Sequence, residues 1–412
     1  MRILYDFFIF IYRLAIHLVA LRSPKARSFV EGRKNWRKKL NVEIELSTNN
    51  IWVHVASLGE FEQSLPVLDK INKFYPNYNI VLTFFSPSGY ENAKIPEYIW
   101  YVYYLPLDTA SNARYFLDNV KPKLILFVKY DIWYHYLNEA NKRGIKTILF
   151  SSLFRKDQIY FRFYGSLMRK ALKTFDKIYV QNSDSQKILK SIGLNSEVSG
   201  DTRFDRVKFR MRKNRMHPTI AKFARAERIF VLGSTWQDDL NVILDTVNHI
   251  NDFKIIIAPH NIGKEEIEVT RKRIRLKSIL FSETNERMDL KNYRVLIIDN
   301  IGMLASVYAM GKLAYVGGAF HGSLHNILEP AVFGIPIIFG PNYKKFPEAQ
   351  AMIDAGAAFS IHDKEGFEKT LKILSNEDYR KKCGKNAYQY ISGNLGASNK
   401  VLDGIKSILN DG

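Results

Sequence analysis

Two stretches of this chain hold residue types at spacings that could do chemistry. Trp52-Val53-His54-Val55-Ala56-Ser57-Leu58-Gly59-Glu60 reads as a buried strand that ends in Ser-Leu-Gly-Glu and runs directly into a helix. Glu60 then stands at the carboxyl end of a strand and in the first turn of a helix, a place suited to a general base. The same position suits an acid that only stabilises the helix dipole, worth ~0.3–1 kcal/mol, so position alone leaves both roles open. His54, in mid-strand, reads as a core histidine. The second stretch is Tyr315-Val316-Gly317-Gly318-Ala319-Phe320-His321-Gly322-Ser323-Leu324-His325-Asn326-Ile327-Leu328-Glu329-Pro330, continuing to Gly340-Pro341. It predicts a strand, a glycine-rich turn, a short helix opening near Ser323 to Asn326, and a second strand at 335–339. Glycines let a ligand approach the backbone, free N–H groups at a helix start attract an anion, and Glu329 could reach a sugar hydroxyl beside it. A plain crossover whose glycines only tighten the turn fits the same letters.

Three further strand ends carry small or polar residues. Gly233-Ser234-Thr235-Trp236 follows a strand and opens a helix, so Ser234 or Thr235 either caps that helix or helps its N–H groups hold a phosphate. Pro259-His260-Asn261 and Asn300-Ile301-Gly302-Met303 also follow strands. Loops gathered at the carboxyl ends of parallel strands are the layout of a nucleotide pocket. Trp52 and Trp236 read as packing residues. No His, Asp or Glu cluster has metal-ligand spacing, and neither a nucleophile elbow nor an H-E-x-x-H pair occurs, so no metal and no other cofactor is expected.

The elements that must position these residues follow from periodicity. Apolar runs at 51–56, 80–85, 101–105, 124–128, 147–151 and 178–181 alternate with helix-length stretches, and the alternation restarts with runs at 229–232, 254–258, 295–298, 313–316 and 335–339. Such alternation predicts parallel, doubly wound sheets in two similar halves. Between them lies a basic stretch, 206–228, holding Arg206, Lys208, Arg210, Arg212, Lys213, Arg215, Lys222, Arg225 and Arg228 with few strongly apolar residues, read as a linker. The expected division is a basic N-terminal region at 1–40, a first domain at 41–205, the linker, a second domain at 229–390, and a last helix at 391–412 that could pack back on the first domain. Neither half carries a P-loop or a G-x-G-x-x-G fingerprint, which argues against ATPase and NAD chemistry.

The chain has 412 residues, and 61 Lys and Arg against 41 Asp and Glu give a net charge of +20, pointing to a polyanionic partner. One cysteine, Cys383, excludes an internal disulfide and any cysteine-rich zinc site. The first 21 residues are apolar and aromatic, interrupted by Asp6, Arg13 and His17, which share one side of a helix at 100° per residue. Arg22, Lys25, Arg27, Arg33, Lys34, Arg37, Lys38 and Lys39 follow, opposed by Glu31 alone. This is the pattern of an amphipathic anchor on an anionic membrane surface through residues 1–40, with a single span and a core helix as alternatives.

The strand ending in Ser57-Leu58-Gly59-Glu60, together with His325-Asn326-Ile327-Leu328-Glu329-Pro330, resembles the 3-deoxy-D-manno-octulosonic acid (Kdo) transferases of lipopolysaccharide synthesis. Ser152-Leu153-Phe154-Arg155 with Tyr164, Gln181-Asn182-Ser183-Asp184, Gly200-Asp201-Thr202-Arg203-Phe204-Asp205, and Phe339-Gly340-Pro341-Asn342 with Phe346 and Glu348 follow in the same order. The resemblance covers nearly the whole chain. It implies an α/β glycosyltransferase of the B type, two Rossmann-like domains facing a cleft with an N-terminal membrane-associated helix. It further implies inverting transfer of Kdo from CMP-Kdo to the lipid A precursor at the cytoplasmic face of the inner membrane. Glu60 matches the family's base. Pro259 and His260, then Ile301, Gly302 and Met303, then Asn326, Ile327, Leu328 and Glu329 fall where the family binds CMP, the middle triplet by its backbone and Glu329 through ribose hydroxyls. Two segments depart from the family pattern. Many members have Arg where this chain has His260, and an acidic Glu-Thr-Glu-Leu-Trp-like segment where it has Lys129-Tyr130-Asp131-Ile132-Trp133.

Two other readings predict different behaviour. A related two-domain glycosyltransferase or sugar-nucleotide epimerase would prefer UDP or GDP to CMP. A basic membrane- or nucleic-acid-binding protein would bind polyanions in a salt-sensitive way and form no glycosyl product. The basic residues concentrate beside the apolar N-terminus and in the linker, which suits a phosphorylated glycolipid and not a nucleic acid.

Overall fold

The computed structural model describes every residue except 44–48, 214–215, 226–227, 286 and 411–412. Arg215 of the basic stretch therefore lies outside the described residues, as does part of the start of the first domain. The chain divides into two units, Met1–Arg206 with Leu395–Gly412, and Val207–Asn394.

In the first unit the apolar runs are strands β1 (Asn50–Val55), β2 (Asn79–Phe84), β3 (Tyr101–Tyr104), β4 (Pro122–Val128), β5 (Lys146–Ser152), β6 (Lys177–Val180) and β7 (Glu197–Val198). They form one sheet in the order β3-β2-β1-β4-β5-β6-β7, every adjacent pair parallel. Both faces of such a sheet are covered, so its strands are apolar on successive residues without strict alternation. The two-residue pleat divides β1: Trp52 joins the cluster on one face, with Phe116, Phe127 and Tyr136, while Ile51, Val53 and Val55 join the other, with Phe61 and Leu68. Val401 and Ile405 of the last helix, Ala397–Leu409, complete that second cluster. Asp205 anchors the helix start, its carboxylate accepting from the N–H groups of Gly396 at 2.8 Å and Ser398 at 2.7 Å.

The second unit repeats the arrangement with β8 (Ile229–Thr235), β9 (Lys254–Pro259), β10 (Ser278–Leu280), β11 (Val295–Ile297), β12 (Gly311–Val316), β13 (Ile337–Phe339) and β14 (Ala358–Ser360), ordered β10-β11-β9-β8-β12-β13-β14 and again all parallel. The edge strands β10 and β14, three residues each, are too short for a periodic signal in sequence.

Three expectations meet a different local structure. The stretch 206–228 carries the end of a helix, Thr202–Lys213, and a second helix, Pro218–Ala224. Arg206, Lys208, Arg210, Arg212, Lys213 and Lys222 sit on these helices while Phe204, Val207, Ile220 and Phe223 are buried, and the division between units falls within the first helix. The helix after the glycine turn does not open at 323–326 but spans Leu328–Ala331. Residues 317–325 close into a turn first: the N–H groups of Gly322 and Ser323 both reach the Gly318 carbonyl, and His325 N–H reaches that of Gly317. The Asn326 side chain then accepts from Leu328 N–H at 3.2 Å. Finally, the Arg2–Ala20 helix turns its polar side toward its own unit. Tyr5 donates to Asp108 at 2.6 Å and Asp6 pairs with His135 at 2.5 Å, while Leu4, Phe7, Phe8, Ile11, Leu14 and Leu18 are exposed. That helix is long and apolar enough to cross a membrane.

Candidate active site

In each sheet the strand order runs outward in both directions from the first strand of the unit. Ligands of open α/β sheets bind beyond the carboxyl ends at that reversal, which lies between β1 and β4 in the first unit and between β8 and β12 in the second. Glu60 lies there in the first unit; in the second, Ser234 and Thr235 end β8 and Asn326 to Glu329 follow β12, while Pro259 and His260 at β9 and Ile301 to Met303 after β11 stand one and two strands away.

In the first unit Ser57 caps the Leu58–Phe74 helix, its hydroxyl accepting from Glu60 N–H at 3.5 Å. The Glu60 carboxylate folds back and accepts from Ala56 N–H at 2.5 Å, close to the reciprocal bonding of a capping box. One oxygen thus helps hold the helix start. Glu60 is 8% exposed. Burial raises its pKa above the usual carboxylate range, and the Asp131 charge adds to this, against the Ala56 N–H, Lys129 and His54. A carboxylate shifted upward is a stronger proton acceptor once ionised.

Asp131 reaches this place because Lys129, just past β4, takes a left-handed conformation (φ +61°) and turns the chain. Its carboxylate meets His54 Nε2 at 2.5 Å, and His54 Nδ1 lies 2.8 Å from the Thr83 hydroxyl. The Thr83 hydroxyl also accepts from the Trp52 indole at 2.8 Å, and the Trp133 indole N–H points to His54 Nε2 at 3.2 Å. His54 is therefore a satisfied core histidine, as its mid-strand place suggested, and it also orients a carboxylate electrostatically coupled to Glu60.

In the second unit Asp239 organises the turn. Fully buried, it accepts from Tyr315 hydroxyl at 2.8 Å and from the N–H groups of Trp236 and Gly318, both at 2.9 Å. Gly317 N–H is bonded to the Gly233 carbonyl. A Cβ on Gly317 would lie 2.4 Å from the Ser234 carbonyl oxygen, and Gly318 has φ +94° with the Ser323 carbonyl 2.3 Å from a Cβ. These two glycines serve the tightness of the turn, and their N–H groups are not free for an anion.

Around this turn Trp236 is stacked between two imidazoles, His321 at 4.0 Å and His260 at 4.3 Å, and its indole N–H donates to His325 Nε2 at 3.0 Å. Burial, then the neighbouring His260 and His321, push His325 down to about 4, so it stays a neutral acceptor. Both indole faces are covered, which agrees with the packing role read for Trp236. Ser234 adopts φ +53°, a conformation that costs a non-glycine residue energy and is frequent at functional sites. Beside it the Thr235 hydroxyl is buried without a hydrogen-bond partner among the described residues.

Parallel strands bring the loops after β11, β9, β8 and β12 side by side, so Met303, Pro259, His260, Ser234, Thr235 and Asn326 share one edge of the sheet. Gly302 has φ +93° and Ile301 is 81% exposed. The Ile327 and Leu328 side chains are buried. Glu329 lies 3.5 Å from Arg210 and 3.4 Å from the Asn326 amide. The residue reading passed over Asp239, His321 and Arg210. Asp239 had a signal, an acid at the third helical position after a polar strand end; His321 lay inside the glycine-rich stretch itself, while Arg210 had none, because only folding brings it beside Glu329.

Residues 33–206 match the family described as 3-deoxy-D-manno-octulosonic-acid transferase (kdotransferase). A 3-deoxy-D-manno-octulosonic acid transferase of Rickettsia typhi is 25% identical over 399 residues, covering 93% of this chain and 86% of the relative. Another from Chlamydia trachomatis serovar A is 27% identical over 343 residues, covering 80% and 79%. Among solved structures, UDP-GlcNAc 2-epimerase from Neisseria meningitidis bound to UDP-GlcNAc superimposes with a TM-score of 0.63 at 13% identity, covering 88% of this chain and 100% of that one. MurG of Acinetobacter baumannii gives 0.57 at 13% identity, covering 87% and 99%. Two parallel Rossmann-like sheets give the chain the fold of the B-type glycosyltransferases, and the curated relatives that match most of its length are glycosyltransferases. Within that fold the chain resembles the Kdo transferases, which match it over residues 33–206 and along most of its length.

Proposed function

We propose that the protein transfers Kdo from CMP-Kdo to a hydroxyl of the lipid A precursor, of the lipid IVA type, with inversion, without a metal, and with Glu60 as general base. The sugar is supported by the family, whose curated relatives along most of the chain are Kdo transferases. The base role rests on one observation: a carboxylate at the sheet's point of reversal, nearly buried, raised in pKa and held by a backbone N–H. In the reaction the acceptor hydroxyl gives its proton to Glu60 as its oxygen bonds to the anomeric carbon. The bond from that carbon to the phosphate oxygen breaks with its electron pair, and CMP departs as a phosphate monoester. One displacement on the face opposite the leaving group inverts configuration.

CMP is assigned to the second unit, to the edge bearing Ser234, Thr235, Pro259, His260, Ile301, Gly302, Met303 and Asn326 to Glu329. The unpartnered Thr235 hydroxyl is available to a phosphate oxygen, and ribose hydroxyls are assigned to Glu329, held beside Arg210, on the family resemblance. Metal-free transfer is proposed on the family resemblance, with the departing CMP stabilised by backbone N–H groups and positive charge. The cytoplasmic face of the inner membrane is proposed on the outward apolar face of the Arg2–Ala20 helix and the basic residues after it.

The test is incubation of purified protein with CMP-Kdo, generated in situ, and a tetra-acylated lipid A precursor, followed by mass spectrometry of the lipid. A Kdo-sized mass gain is expected. Its absence with the donor confirmed active refutes the proposal, and preferential binding of UDP over CMP would favour the epimerase-like alternative.

A further inference from the structure

We propose that a cavity in the first unit, between the Arg2–Ala20 helix, the Pro24–Gly32 helix and the loop after β3, holds one anionic phospholipid of the bilayer. Its phosphate would sit among Arg13, Arg27 and Lys34, and an acyl chain would lie along Phe10, Ile16 and Leu21. The cavity measures about 880 Å³ and all six residues line it. Arg13, Arg27 and Lys34 are exposed and have no ion-pair partner among the described residues. Of the two carboxylates in the lining, Asp6 is engaged by His135 and Arg2, leaving Glu31 as the opposing charge.

The wall is built before any ligand arrives. Arg33 donates to the carbonyl oxygens of Leu105 at 2.9 Å, Phe29 at 3.1 Å and Phe85 at 2.7 Å, with its guanidinium 3.6 Å over the Phe29 ring. This ties the second helix to the sheet edge. A free anion would answer the cations and leave the apolar wall wet. A lipid answers both, because the wall continues into the exposed apolar face at Phe7, Leu14 and Leu18. The site rests on the membrane part of the proposed function and not on glycosyl transfer.

The test uses the full chain in non-ionic detergent, where no lipid surface supplies a general potential. Phosphatidylglycerol is added at about 0.15 M salt, and bound lipid is counted by native mass spectrometry. One lipid per chain is expected on the unaltered protein. The R13Q/K34Q double variant should bind roughly thirtyfold more weakly, from two cations at about 1 kcal/mol each. The charge-matched double variant K38Q/K39Q, altered at exposed lysines outside the cavity, should bind as the unaltered protein does. Equal loss in both double variants overturns the site in favour of diffuse electrostatics. Displacement of the lipid by equimolar glycerol 3-phosphate overturns the role of the apolar wall, and displacement by equimolar lipid A precursor assigns the cavity to the acceptor instead. The readout needs no sugar donor, so its failure is distinct from a failure of glycosyl transfer.

Discussion

Replacing Glu60 with Gln separates its two duties. Gln keeps a carbonyl oxygen where Glu60 accepts from Ala56 N–H, so the helix start retains its partner, while the group loses its basicity. Removal of a general base lowers turnover roughly 10²- to 10⁴-fold, about 3–5 kcal/mol in the transition state. Stability should move the other way or stay level. The folded-state pKa of Glu60 lies above its unfolded value, so the ionised group disfavours folding once pH exceeds the unfolded pKa, and that penalty is complete above the folded one. Near neutral pH, Gln removes the penalty and gives up only a dipole contribution of ~0.3–1 kcal/mol. Glu60→Ala instead leaves the Ala56 N–H without an acceptor and should cost about 1–3 kcal/mol in addition to turnover. The assay is the initial rate of Kdo-lipid formation by mass spectrometry, beside urea denaturation and CMP titration by calorimetry. A Gln variant that keeps more than about a tenth of the rate refutes the base assignment. Loss of CMP binding in the same variant would assign Glu60 to the donor and not to the acceptor proton.

Asp131→Asn removes a charge that raises the Glu60 pKa, so the acid limb of kcat/KM should move to lower pH; an unmoved limb refutes the coupling. Asp239→Ala strips the acceptor from three donors and should cost the second unit upwards of about 3 kcal/mol, read by denaturation, with loss of CMP affinity. Gly317→Ala should disrupt the turn, since its Cβ meets the backbone of Ser234 and Thr235 and the buried Asp239 carboxylate; a variant of unchanged stability contradicts the geometry. His325 should remain neutral down to about pH 4 by NMR titration, and Trp236→Ala, by admitting water, should raise its pKa toward the ordinary histidine value.

The sheets were legible because parallel strands buried on both faces are local runs of apolar residues, and 50–55 or 254–259 need no partner to be recognised. Glu60 was legible for the same reason: a strand, a cap and a first-turn acid lie within a few residues of one another. The family likeness rests on similarly short strings. What surrounds Glu60 was not legible, because His54 and Asp131 stand 77 residues apart and meet only when β1 and β4 pair. In the second unit Asp239 and Gly318, 79 apart, and Trp236 and His325, 89 apart, are joined in the same way by β8 and β12. Tertiary structure also decided what the glycines are for, since a tight turn and an anion site share the same letters until each N–H has its partner. It decided the sidedness of the first helix as well. Periodicity grouped Asp6, Arg13 and His17 on one side, but only the packed positions of Asp108 and His135 determine that Tyr5 and Asp6, beside the buried Ile9, meet the protein and that Phe7, Leu14 and Leu18 point outward.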